Sequence, residues 1–266
     1  MRQNALRNVE GKDAPFTTLH AVTYSQFHFR FNVPLLAFAG AISCLAPWRA
    51  SVWAAFLVIL AIVVAFTTPW DNFAVAQGIW SFPGGRHAFR IWHLPVEEYC
   101  FFVIQSVEVL LLCHGLTGLA GFRKPSTPPL NSPGVVAGVG AIAALWAFTG
   151  LRFGRCLPRR AQYLFHLLYW FGPVVAFHWV LAAPLLLANL PPILLATATV
   201  GAWLTFADLT AVRQGIWEFD ERQILGLKWR NQLPVEEILF FFVSSLLVAQ
   251  SYVILAPAAA RIIAGG

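Results

Sequence analysis

The sequence predicts an all-α polytopic membrane protein of seven transmembrane helices, built as two parallel three-helix repeats joined by a connector helix. Three observations lead there. The first is composition: of 266 residues 58% are hydrophobic and only 11% charged, against about 25% charged in a soluble domain, and the mean hydropathy is +0.66. The second is a series of apolar runs of membrane-spanning length. The third is an internal duplication.

Apolar runs bounded by Pro, Gly and charge fall near 27–45, 51–68, 95–119, 133–151, 163–182, 189–207 and 234–256, each close to the roughly 20 residues a bilayer requires. An odd number of spans puts the two termini on opposite sides. The side holding the N-terminal tail, Arg30 and the loops 69–94, 152–162 and 208–233 collects 14 of the 18 Lys and Arg. The positive-inside rule makes that side cytoplasmic. The net charge of +6 is therefore a topology signal, and no nucleic-acid partner is expected. The protein is expected in the cell (cytoplasmic) membrane with its N-terminus inside. Residues 1–26 lack the charged, apolar, small-residue order of a cleaved signal, so the first helix is expected to remain in the mature protein.

The duplication is explicit. DNFAVAQGIWSF from Asp71 recurs as DLTAVRQGIWEF from Asp208, and each is followed by LPVEE, at Leu94 and at Leu233. An FF pair follows each, Phe101 with Phe102 and Phe240 with Phe241, and upstream Tyr24 and Pro34 are spaced as Tyr163 and Pro173 are. The resulting division is a polar tail over 1–23, a first repeat over 24–120, a connector with one span over 121–162, a second repeat over 163–258 and a tail over 259–266. One connector span after three helices restores the starting orientation, so the repeats run parallel about an axis along the membrane normal. Both LPVEE motifs then face the same side.

Pro95 and Pro234 read as the first residues of their helices, which places Glu97, Glu98, Glu236 and Glu237 in the first turns. Helix initiation alone accounts for one such motif, since Pro and acidic side chains favour that end. Two copies in a chain that rations charge argue for a working cluster of carboxyls. Like charges and low dielectric both favour the neutral form of a carboxyl, so one Glu is expected to serve as acid while a neighbour serves as base.

Asp71 and Asp208 read as lying just past the ends of the second and sixth helices, with capping and a site role evenly weighed. Trp80 and Trp217 sit in the same loops with Trp70, Trp92 and Trp229. These fit either an interfacial aromatic belt, the better reading for Trp70 and Trp92, or a shield for a carbocation through cation–π attraction. Glu108 falls deep in a span, on the face of Glu97 and about 16 Å further along the axis. Its counterpart is Leu247, and a functional carboxyl and a protonated packing residue are equal readings.

Other chemistries are poorly supplied. Cys44, Cys100, Cys113 and Cys156 have no metal or disulfide spacing and read as small apolar fillers. His28 and His166 sit at nearly equivalent depth in the first helices of the repeats, as haem ligands would, but without a supporting motif a packing role is preferred. Lys12, Lys124 and Lys228 are the only lysines and none lies in a span, which excludes a retinal Schiff base. No nucleotide or flavin motif is present, and no cofactor or metal is expected.

The set PWDNFAVAQGIWSF, LPVEEYCFF, DLTAVRQGIWEF and LPVEEILFF resembles the integral-membrane lycopene cyclases, which occur as two small bacterial subunits, as one fused chain in archaea and other bacteria, and as the cyclase part of a bifunctional fungal protein. The resemblance covers about 24–256. It implies a fused, single-chain enzyme needing no second subunit, with Glu97, Glu98, Glu236 and Glu237 as acid–base residues and Asp71 and Asp208 as the recurrent aspartates. Trp80, Trp217, Glu108, Phe101, Phe102, Phe240 and Phe241 complete the expected substrate-binding or supporting set. Ser244 and Ser245 stand where a Thr-Asn pair is expected. The implied reaction is the redox-neutral closure of acyclic ψ-ends to β-rings, lycopene to γ-carotene to β-carotene. Expected partners are lycopene or a related acyclic or monocyclic carotenoid and membrane lipid, with a homo-oligomer or contact with carotenoid-pathway enzymes left open. The alternatives are a non-catalytic carotenoid-binding or assembly protein, and a carrier. Few polar residues besides Glu108, Gln105 and Gln250 offer the carrier a path.

Overall fold

The computed structural model describes residues 22–153 and 156–265. It is a bundle of long helices: α1 Tyr24–Phe27 and α2 Val33–Ser43 joined by a π turn at His28–Asn32, then α3 Ala50–Ala76, α4 Val96–Ala120, α5 Pro133–Phe153, α6 Gln162–Ala188, α7 Leu190–Gln214 and α8 Val235–Gly265. Six helices among the described residues are long and apolar enough to cross a membrane, beginning at Ala50, Val96, Pro133, Arg159, Leu190 and Val235. The protein is thus an all-α integral membrane protein. The expected first span corresponds to the shorter, π-broken stretch from Tyr24 to Ser43. Nearly all of the polar tail over 1–23 lies outside the described residues.

The helix ends correct the sequence-based boundaries in an instructive way. Asp71 and Asp208 are not past their helices but inside them, because α3 continues to Ala76 and α7 to Gln214. What stops both helices is a Gln-Gly pair. Gly78 and Gly215 adopt left-handed φ of 68° and 62°, a conformation glycine reaches at little cost. The amides of Ile79 and Ile216 then reach back to the carbonyls of Ala74 and Ala211, both at 3.0 Å, closing matched Schellman caps. Pro95 and Pro234 are likewise displaced by one position. Each ends a two-residue strand, in the hairpins β2 Arg90–Ile91 with β3 Leu94–Pro95 and β5 Lys228–Trp229 with β6 Leu233–Pro234, and the helix starts at the following Val. The C-terminal tail expected from 259 is helical, as α8 continues past Pro257 to Gly265 through alanines, which have the highest helix propensity.

α4 and α8 pack on each other at the centre; α2 and α7 border α4, while α3, α6 and α7 border α8, and α5 leans chiefly on α6. Gly115 and Gly118 let α2 approach α4 closely: a Cβ built on Gly115 would stand 2.3 Å from the Ile42 carbonyl oxygen, and one on Gly118 2.3 Å from the Ala46 Cβ. Such small-residue contacts replace the hydrophobic drive that helices lack in lipid. Of the four cysteines only Cys113 is buried, so the filler reading fails for Cys44, Cys100 and Cys156, which face outward.

At one end of the bundle the loops of the two halves are tied together. Strand β1, Trp80–Ser81, pairs antiparallel with β4, Glu218–Phe219. The Asp220 amide donates to the Ile79 carbonyl at 2.9 Å, and the Gln223 amide side chain donates to the carbonyls of Gln77 and Gly78 at 3.1 and 2.9 Å. Hydrogen bonds from Arg222 hold the Asp220 carboxyl well below the usual carboxylate range.

Candidate active site

Beneath this clamp lies a narrow cavity of about 40 Å³. Its walls come from both halves: Tyr24, Asp71, Trp80 and Glu98 from the first, Tyr163, Trp217 and Glu237 from the second. Phe27, Trp70, Phe82, Phe101, Phe219, Phe240 and Phe241 fill the remainder with Leu204. Apart from three carboxyls and that leucine, every wall residue is aromatic.

The two glutamates of each LPVEE motif part ways. Glu97 accepts the Ala88 amide at 2.8 Å and the Ser25 hydroxyl at 3.2 Å, and Glu236 accepts the Leu225 amide at 2.6 Å. Each thus pins the preceding loop against its own helix. Neither is a wall residue of the cavity. Glu98 and Glu237 stand one position on, about 100° further round the helix, and turn into the cavity. The Tyr24 hydroxyl donates to Glu98 at 2.6 Å and the Tyr163 hydroxyl donates to Glu237. Both tyrosines are held by equivalent backbone bonds, Tyr24 N–H to the Arg86 carbonyl at 2.8 Å and Tyr163 N–H to the Gln223 carbonyl at 3.0 Å.

The aspartates differ. Asp71 accepts the Trp80 indole at 3.0 Å and lies within electrostatic reach of Glu98. Asp208 is fully buried, within electrostatic reach of Glu237 and Glu98. Trp217 stands beside it, but neither Asp208 oxygen has a well-formed hydrogen bond among the described residues.

The aromatic residues sort as follows. Trp80 and Trp217 are wall residues. Trp70, assigned by sequence to an interfacial belt, is instead buried and stacks on Phe240 with centroids 5.4 Å apart, because α3 continues past it and turns it inward. Trp92 is exposed at a hairpin tip and Trp229 lies under Arg230. Phe101, Phe240 and Phe241 line the cavity, whereas Phe102 faces a neighbouring groove. Glu108 is outside the cavity, fully buried, and both its oxygens lack partners among the described residues. His28 bonds the Glu97 carbonyl and Asn32, while His166 packs on Phe73. No group of three or more His, Cys, Asp or Glu among the described residues could hold a metal ion.

Sequence reasoning used Tyr24 and Tyr163 only as markers of the duplication. A polar aromatic kept at matched positions of two otherwise apolar halves is the signal that points to them.

Chemically the arrangement offers paired proton donors and acceptors in an aromatic box with no cationic side chain in its walls. Ring faces attract a positive centre, so the box suits a reaction that gains and then loses a proton through a cation. Comparison with known proteins agrees with that chemistry. A family model described as "Lycopene cyclase" matches residues 23–115 and 160–255. Similar curated proteins include a lycopene beta-cyclase of Halobacterium salinarum, 30% identical over 77% of this chain and 83% of the relative. They also include bifunctional lycopene cyclase/phytoene synthases of Sporisorium reilianum, 31% identical over 90% of this chain, and Phycomyces blakesleeanus, 29% identical over 83%. The chain spans only 35% and 37% of the length of these two fungal relatives. No solved structure matches the chain.

Proposed function

The chain belongs to the lycopene cyclase family, and on that premise we propose that it is a carotenoid cyclase closing the acyclic ψ-ends of lycopene to β-rings, by acid–base chemistry without net oxidation or reduction. The observation that carries the reading is the meeting of two tyrosine–glutamate pairs, Tyr24 with Glu98 and Tyr163 with Glu237, in one aromatic cavity. Nothing comparable favours a carrier or a non-catalytic binding protein.

The acid proton is carried by Glu98, beside Asp71 in the cavity wall. It goes to C2 of the ψ-end, the cation at C1 is captured by the C5=C6 double bond as the C1–C6 bond forms, and loss of the C6 proton to Glu237 leaves the β-ring. One proton is gained and one lost, so the product is an isomer of the substrate. Tyr24 and Tyr163 orient the two carboxyls, and the aromatic walls stabilise the intermediate cation and exclude water. Positioned proton transfer contributes roughly 10²- to 10⁴-fold. Glu97 and Glu236 act as positioning residues that hold the loops over the site.

We read the bundle as seven spans in two parallel repeats, the first span being the stretch from Tyr24 to Ser43. Matched caps, matched loop bonds and the shared cavity support that reading. The site end is assigned to the cytoplasmic face of the cell membrane, with the N-terminus inside, from the distribution of Lys and Arg. Both glutamate pairs then serve one site at one face. Lycopene is about as long as the roughly 30 Å hydrocarbon core, so one end is processed at a time.

The test is expression of this chain alone in a lycopene-accumulating bacterium, with pigments identified by chromatography. Cyclic carotene is the expected result. Unchanged lycopene with well-inserted protein would overturn the assignment.

A further inference from the structure

The cavity beneath the loop clamp is too small for a whole carotenoid, and what lies next to it says where the rest goes. A second, elongated space of about 100 Å³ runs between α3, α4, α6 and α8. Phe240 and Phe171 begin it at the site end, Phe240 also forming a wall of the cavity. From Phe240 it follows α8 to Ser251, about 16 Å of helix. The lining is apolar where it is free to be: Gln105 and Ser244 are spent on each other through a 2.8 Å bond, and Thr67 bonds the Val63 carbonyl. Ile62, on its rim, is 53% exposed and faces the surroundings of the bundle.

The internal duplication allows a comparison within the same molecule. Several of the matching positions on the other flank, between α2, α4, α7 and α8, are fully buried. Asn32 stands there for Phe171, Val200 for Val63 and Glu108 for Leu247, and each is 0% exposed. The π turn at His28–Asn32, which turns Asn32 inward onto His28, has no equivalent in α6, helical over the corresponding residues.

We propose that the α3/α4/α6/α8 groove holds the polyene chain of the substrate and is the single path by which a ψ-end reaches the carboxyls from the bilayer. This rests on the cyclase reading above. The occupant is argued from adjacency: the cavity and the groove share Phe240 as a wall, so a ψ-end placed between Glu98 and Glu237 has its chain leaving past Phe240, and an unsubstituted hydrocarbon is the ligand such a lining accepts without a desolvation penalty. The buried flank makes the enzyme functionally one-sided despite its duplicated halves. Each molecule therefore leaves and re-enters, reversed, for its second ring.

The experiment places the photo-crosslinking residue p-benzoylphenylalanine at Ile62, or at its counterpart Thr199 on the opposite flank, in full-length protein in lycopene-containing membranes. Both positions lie away from the catalytic groups. After illumination, adducts are identified by mass, which cyclisation leaves unchanged. A several-fold higher carotenoid adduct yield at 62 than at 199 is the expected result. Equal yields, a higher yield at 199, or only phospholipid adducts at 62 would overturn the proposal. Pigment analysis of membranes carrying the unsubstituted protein reads the enzymatic assignment separately. Cyclic carotene together with equal adducts rejects the groove and keeps the cyclase, whereas unconverted lycopene rejects the cyclase itself.

Discussion

Trp80 packs against Tyr163 with ring centroids 5.1 Å apart, although the two residues belong to opposite halves of the duplicated sequence. Trp217 packs on Tyr24 at the same separation, with interplanar angles of 50° and 56° in the two pairs. Each half therefore supplies the indole that buttresses the other half's tyrosine. The site exists only when both halves are assembled.

This crossed arrangement separates the glutamates by role. Glu98→Gln and Glu237→Gln should each lower cyclisation per molecule by roughly 10²- to 10⁴-fold, the range for a lost proton donor or acceptor. Glu97→Gln and Glu236→Gln keep an oxygen that can accept the loop amide, and should retain most of the rate. Pigment yield normalised to membrane protein by quantitative immunoblot distinguishes them; a fully inserted but inactive Glu97→Gln would reverse the assignment.

The tyrosine hydroxyls are separately testable. Removing a hydrogen bond to a charged group costs about 1.5–3 kcal/mol, so Tyr24→Phe and Tyr163→Phe should slow turnover by about tenfold to hundredfold at unchanged protein level. The ring remains, so its stacking on the partner indole is preserved. Initial rates in isolated membranes at saturating lycopene measure this, and wild-type rates in both variants would remove the tyrosines from the mechanism.

A single site at one face predicts the order of products. γ-Carotene should accumulate transiently and then decline as β-carotene rises, because the monocyclic product must turn round. A time course in which β-carotene rises without any γ-carotene phase would count against one-ended processing.

The close approach of α2 to α4 should show in stability rather than chemistry. Gly115→Val and Gly118→Val force atoms into backbone and Cβ positions already occupied, at a cost of about 1–3 kcal/mol. Gly140→Ala in α5, where a Cβ would meet nothing within 4 Å, should be neutral. Thermal denaturation of detergent-purified protein gives the comparison, with the two valine variants melting lower than the parent.

How much of this the sequence disclosed depends on the range of the interactions involved. Local rules were readable: apolar runs gave the helices, and repetition of LPVEE marked both site helices. The extent of α3 past Pro69 was not, because its last turns are held by tertiary packing around Asp71 and Trp70 rather than by hydropathy. That single extension moved Trp70 from the expected interfacial belt into the cavity wall.

By itself the sequence determined a membrane protein with two copies of an acidic motif, since composition and repetition are properties of the chain alone. Only the tertiary structure decided which glutamate of each pair turns inward, that Tyr24 and Tyr163 reach them, and that a groove lies along one flank while Glu108 on the other is fully buried. Adjacent residues on a helix point about 100° apart, so the function of Glu97 and Glu98 is set by what the neighbouring helices and loops place on either side.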